Sequence, residues 1–178
     1  KGNTTAVDAG LIKGNTTVTI NPGSNGEPKI YHNIYGGGAY GSVGTIARAA
    51  AGATYVPGKT SAVSNMPTSW ARRTENTGTD TGTAEVYVYG GTIGINGDEN
   101  GMVFGSSRGD VTTPGSDNVD PNDRTAWVYD TKVVIGNTGE TGPTIKGSVY
   151  GSGENGHVFT NSQVGIHSGI IGVTDDDA

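Results

Sequence analysis

The sequence predicts an all-β chain, a β-solenoid or β-helix of about three 25-residue repeat units with long loop insertions. Three observations carry that expectation. Short alternating apolar segments recur, aromatic–glycine pairs recur between them, and the two kinds of segment keep matched spacing. A β-sandwich completed by donor-strand exchange is the alternative fold for strands this short. Residues 1–178 read as a single repeat domain, with insertions at 45–82 and 112–125 and incomplete units at 1–17 and 164–178.

The apolar segments come first. Val18-Thr19-Ile20, Val86-Tyr87-Val88, Val133-Val134-Ile135 and Val164-Gly165-Ile166 each set two branched residues on either side of one that points to the opposite face. The aromatic–glycine segments are Ile34-Tyr35-Gly36, Val103-Phe104-Gly105 and Val149-Tyr150-Gly151. Each is followed by Gly-x-Val, ending at Val43, Val111 and Val158. From Val18 to Val43, Val86 to Val111 and Val133 to Val158 the step is always 25. One more apolar position lies inside each unit, at Ile30, Ile93 and Ile145, and its offset shifts by about one tight turn while the total is kept. Stacked repeats require such compensation, because each strand must meet its equivalent in the next repeat. Val18, Val86, Val133 and Val164 are therefore expected to form one ladder, Val43, Val111 and Val158 another. Tyr35, Phe104 and Tyr150 are expected to stack as an internal aromatic ladder.

The ends carry half-units. Gly10 to Val18 aligns with Gly156 to Val164, so Ile12 corresponds to Val158 and the chain opens with the last half of a unit, Ala6-Val7 being a candidate for the strand before it. It closes with the first half of another, Val164-Gly165-Ile166 followed by Gly169-Ile170-Ile171. Unsealed repeats expose unpaired strand edges and an uncovered apolar stripe. A non-closing head-to-tail contact between such ends gives a filament. The expected partners are thus identical subunits, or adjacent repeats of a longer chain, joined head to tail. The chain begins at Lys1, which is read as processing of a precursor or as an excerpt.

Composition agrees with a thin β core. There are 32 Gly, and hydrophobic residues make up only 32 % of the chain, so a deep interior is not available. The apolar residues present are mainly Val, Ile and Tyr, which suit pleated surfaces. The net charge of −6 argues against a nucleic-acid partner, since phosphate binding needs a basic face. With no Cys, thiol chemistry and disulfides are excluded. No run approaches the roughly 18 apolar residues of a membrane span.

Gly14-Asn15-Thr16-Thr17-Val18-Thr19-Ile20, Tyr35-Gly36-Gly37-Gly38 and Val149-Tyr150-Gly151-Ser152-Gly153 resemble the glycine-rich repeats of large adhesin-like surface proteins of Bacteroidota. More loosely, they are similar to the right-handed β-helix passenger domains of other bacterial exoproteins. The resemblance covers the repeat segments, about half the chain, and neither insertion. It implies an extracellular, cell-surface location and a structural or adhesive role.

Residues for chemistry are few. Tyr35 to Gly41 is glycine-rich, yet another strand signal follows it where a phosphate loop would need a helix start with Lys and Ser or Thr. Asp117, Asp120 and Asp123 form the best metal candidate, because Ca²⁺ takes clustered oxygens, but they lack the one-three-five spacing of a calcium loop, and a solvated turn is the competing reading. No other cofactor is expected. His32, His157 and His167 share no spacing that would unite them, and no carboxylate pair recurs in the repeats, so no enzyme is expected. The larger insertion holds Arg48, Tyr55, Lys59, Trp70, Arg72 and Arg73, of opposite charge to the acidic smaller one. The leading expectation is a subunit or segment of a filament or adhesin stalk. The alternatives are a module binding surface glycans through Trp70, Tyr55 and Tyr87, and a polysaccharide-cleaving β-helix enzyme.

Overall fold

The structure is a computed structural model that describes residues 10–44, 82–95, 100–109 and 126–172. These residues are all-β, with no helix among them. In chain order the strands are β1 (Thr16–Ile20), β2 (Lys29–Ile30), β3 (Ile34–Tyr35), β4 (Thr83–Val88), β5 (Thr92–Ile93), β6 (Val103–Phe104) and β7 (Trp127–Val128). They continue with β8 (Asp130–Ile135), β9 (Thr144–Ile145), β10 (Val149–Tyr150), β11 (His157–Val158), β12 (Ser162–Ile166) and β13 (Ile170–Ile171).

Every pairing between these strands is parallel, and they form four ladders. The first has the order β1-β4-β8-β12 and the second β2-β5-β9-β13. The third is β3-β6-β10, and the fourth joins β7 to β11 and is extended by bridges from Ile12 to Val43 and from Val43 to Val128. Each pass of the chain visits the ladders in the same order, and each ladder is filled in sequence order. A parallel neighbour needs a crossover of a dozen residues or more. Here the other ladders supply that crossover.

The register follows from the side chains. Val18, Val86, Val133 and Val164 pair in line, as do Ile20, Val88, Ile135 and Ile166. Slipping by one residue would turn this branched set outward and Thr17, Thr19, Glu85 and Lys132 inward, so a single register is selected. Ile30, Ile93, Ile145 and Ile171 pair in the second ladder, and Ile34, Val103 and Val149 in the third. The inward faces of these three ladders meet in one core of Ile34, Val86, Val88, Ile93, Val103, Val133, Ile135 and Ile145. Val43, Ala84 and Val128 form a smaller one. At about 25 cal/mol per Å² of apolar surface, each fully covered Val or Ile contributes roughly 1.5–3 kcal/mol.

Backbones approach closely at the third ladder's end. A methyl group on Gly36 would overlap the Gly105 carbonyl oxygen, and one on Gly105 would overlap the Gly151 carbonyl oxygen and press on Val133. Glycine after the aromatic is thus a packing requirement. On the adjoining corner, Thr16 and Thr131 donate their hydroxyls to the carbonyls of Gly36 and Gly151, both at 2.6 Å. This satisfies Thr131, which is 1 % exposed.

Two sequence expectations need correction. Val128, not Val111, stands between Val43 and Val158 in the fourth ladder. Val111 lies outside the described residues, as does the 112–125 insertion. A constant step of 25 is not what the ladder needs. It needs a strand in register, and Trp127-Val128-Tyr129 supplies an alternating β-former that Asp110-Val111-Thr112 does not. The insertion accordingly interrupts the second pass before its fourth ladder position instead of separating two passes. The aromatic ladder also faces outward. Period two places Tyr35, Phe104 and Tyr150 opposite the core residues Ile34, Val103 and Val149.

Candidate functional site

Three surfaces collect side chains able to bind something. The first is the outer aromatic stack. Tyr35 lies over Phe104 at a ring-centroid distance of 5.1 Å and Phe104 over Tyr150 at 5.0 Å, with interplanar angles of 6° and 9°. Sandwiched between two rings, Phe104 is 3 % exposed, whereas Tyr150 at the end of the stack is 43 % exposed. The Tyr35 hydroxyl donates to the Glu154 carboxylate at 2.5 Å and accepts from the Asn33 amide at 3.3 Å. Partial burial, reinforced by the Glu154 carboxylate, raises the Tyr35 phenol above its usual value of 10.0. Arg108 sits 3.8 Å from Glu154, an exposed pair that adds little to stability. The two hydrogen bonds to its hydroxyl fix the orientation of the Tyr35 ring.

The second surface lies on the outer face of the fourth ladder. Trp127 packs on His157 at 4.7 Å and on Phe159 at 6.2 Å, and Tyr129 stacks on Phe159 at 6.1 Å. Sequence reasoning missed this cluster because it assigned the strand to Val111. The signal was present in the alternation Trp127-Val128-Tyr129 beside His157-Val158-Phe159. On the first ladder, Tyr87 stacks with Tyr89 at 5.9 Å and carries the Lys132 ammonium 5.5 Å from its ring centre.

The third surface is the pair of strand edges. Among the described residues, β1 and β12 end the first ladder, β2 and β13 the second. Val164, Ile166 and Ile170 are 45 %, 57 % and 58 % exposed at one end, and Ile12 is 41 % exposed at the other. The equivalents of Val164, Ile166 and Ile12 in the middle passes are buried, whereas Ile170 shares its outward position with the half-buried Thr92 and Thr144.

The structure brings Val18, Val86, Val133 and Val164 into one ladder and stacks Tyr35, Phe104 and Tyr150. It aligns Val43 with Val158 through Val128. Asp117, Asp120 and Asp123 lie outside the described residues, as do Arg48, Tyr55, Lys59, Trp70, Arg72 and Arg73. Among the described residues no three His, Asp or Glu side chains are grouped to hold a metal ion. His32 bonds Asn100 at 2.9 Å, His157 packs on Trp127, and His167 follows β12, each at a different place in the ladders. No described helix is long and apolar enough to cross a membrane.

The chain matches no protein-family model, no curated protein and no solved structure.

Proposed function

We propose that this chain is a structural subunit or segment of an extracellular filament or adhesin stalk, wound as a β-solenoid and joined head to tail through its strand edges. The observation that carries the reading is the contrast within the first ladder. Val86 and Val133 are 0 % exposed, while Val164, in the same register, is 45 % exposed because nothing described covers β12. An apolar parallel edge is a template for another strand, and soluble proteins normally blunt it with charge, proline or a covering loop. Here Ser162-Gln163-Val164-Gly165-Ile166 carries none of these within the strand. The outward Thr, Asn and Tyr side chains keep the sides soluble, so growth is directed along the axis. The surface location rests on the sequence resemblance, which the absence of cysteine leaves open.

Negative-stain electron microscopy over a range of protein concentrations tests the reading. Linear particles one molecule wide, lengthening with concentration, are expected. Dispersed monomers at high concentration would count against it.

A glycan-binding role is the second reading, and the outward clusters of Tyr87 with Tyr89 and of Trp127 with Tyr129 and Phe159 favour it. Aromatic faces at a surface offer the apolar platforms that sugar rings stack on. Binding on a glycan array that Tyr87→Ala or Trp127→Ala abolishes would support it, and an empty array would remove it.

A further inference from the structure

The passes of the chain are not all alike, and their order says how two molecules would meet. Val18 to Ile30 and Val133 to Ile145 are steps of 12, whereas Val86 to Ile93 and Val164 to Ile171 are steps of 7. Long and short passes therefore alternate. In both short passes a glycine at positive φ precedes the second-ladder strand, Gly91 at 90° and Gly169 at 113°. The residue after each donates its N–H to the proline carbonyl of the long pass before it: Thr92 to Pro28 and Ile170 to Pro143, both at 2.9 Å. A side chain at either glycine would strike that same proline. The two long passes share their own mark, the Thr16 and Thr131 hydroxyl bonds to Gly36 and Gly151.

The opening fragment belongs to the short type. Two residues before the fourth-ladder position, Gly10 and Ala126 have φ of 69° and 60°, while Gly41 and Gly156 of the long passes have no positive φ. Ala126 is the single non-glycine residue with positive φ among the described residues, a conformation disfavoured for any side chain. Gly10 repeats it, so the segment ending at Ile12 is the end of a short pass. The segment from Val164 to Ile171 is the beginning of one. The order is then short end, long, short, long, short beginning.

We propose that the β12–β13 edge of one molecule receives the Ile12–β1–β2 edge of a second copy, so that a short pass between two long ones takes its first and second ladder positions from one molecule and its fourth from the other. The register is that of the internal junction of β4 with β8: Val164 opposite Val18 of the second copy, Ile166 opposite Ile20, and Ile171 opposite Ile30. The same step puts Ile12 of the second copy opposite Val158, as Val128 stands opposite Val43. It covers Val164, Ile166 and Ile12, exposed apolar groups at the two ends whose equivalents inside the ladders are buried. No like charges meet in the first ladder, because Gln163 falls opposite Thr17 and Gly165 opposite Thr19. This inference rests on the filament reading and adds to it the partner and the register.

Cysteine pairing tests the register directly, since the natural chain has no cysteine. Thr19 is exposed, and a Cβ at Gly165 would meet only the His167 ring at 3.4 Å, so Thr19→Cys and Gly165→Cys leave the fold intact. In the proposed register their Cα atoms lie about 4.8 Å apart, within disulfide reach. Thr17→Cys, two residues along the strand, is about 8 Å from Gly165→Cys and out of reach. Mixing the Thr19→Cys and Gly165→Cys proteins under mild oxidation should give at least ten times more disulfide dimer than mixing Thr17→Cys with Gly165→Cys. Val164→Lys, at an exposed position, should keep the monomer's circular dichroism and stop both dimer formation and particle growth. Equal cross-linking of the two mixtures, or growth undiminished by Val164→Lys, in a sample that forms linear particles would overturn the register and leave the filament reading standing. Monomers with no cross-link in either mixture would overturn both.

Discussion

Val133 and Val164 are the same residue at neighbouring positions of one ladder, yet the first is 0 % exposed and the second 45 %. The contrast holds along both strands. β8 alternates half-buried and buried positions throughout, while every residue of β12 except Gly165 is exposed. Both strands keep the same inward face toward the same core. Among the described residues, what separates them is an axial neighbour on each side for β8 and on one side alone for β12. Cover in this molecule therefore comes from the next pass as much as from the interior, and a pass at the end is half finished.

The strongest way to break the middle of the molecule is at the close approach behind the aromatic stack. Gly105→Ala forces a methyl against the Gly151 carbonyl and Val133, both fixed by the ladder. A loss of about 3 kcal/mol in urea unfolding is expected. The matched valines come next. Val133→Ala should cost about 2 kcal/mol, from two buried methyl groups and the cavity they leave. Val164→Ala should cost the monomer less than about 0.5 kcal/mol, as an exposed substitution does. Equal losses for the two, measured on protein kept monomeric by dilution, would erase the contrast.

The smallest effect sharpens the aromatic stack. Tyr35 holds its proton more tightly in the fold than in the unfolded chain, because of burial and the Glu154 carboxylate. The stabilisation tied to that proton is complete below the unfolded value of 10.0 and is lost as pH rises through the higher folded value. Wild type should therefore lose stability relative to Tyr35→Phe between pH 9 and pH 11, while the two run parallel below pH 9. Chemical denaturation at the two pH values reads the difference, and parallel curves throughout would contradict the assignment.

The first three ladders were legible in the sequence because branched residues mark them. Val18, Val86, Val133 and Val164 announce themselves by alternation, and Ile30, Ile93, Ile145 and Ile171 by their place before a turn glycine or a polar turn. The fourth ladder was misread at one position because Val111 satisfies a constant step and Val128 does not. Spacing counts residues along the chain, whereas the ladder counts hydrogen-bonded neighbours, and an insertion within a pass separates the two. The alternation of long and short passes was visible as a variable offset of the inner isoleucine, but its meaning needed backbone angles at Gly10, Gly91, Ala126 and Gly169. The facing of Tyr35 was available from period two and was overridden by the expectation that aromatics lie inside. Packing of Trp127 on His157 joins residues 30 apart and had no local signal beyond the alternation around each.

Fibre diffraction from oriented assemblies of the protein tests the central claim most directly, since it reads spacing along the axis without reference to any side chain. Parallel passes stacked along one axis predict a meridional reflection near 4.8 Å, and four passes per molecule predict an axial rise of about 19 Å per subunit. Filaments without the meridional spacing, or with a subunit rise that is not a small multiple of it, would contradict the account.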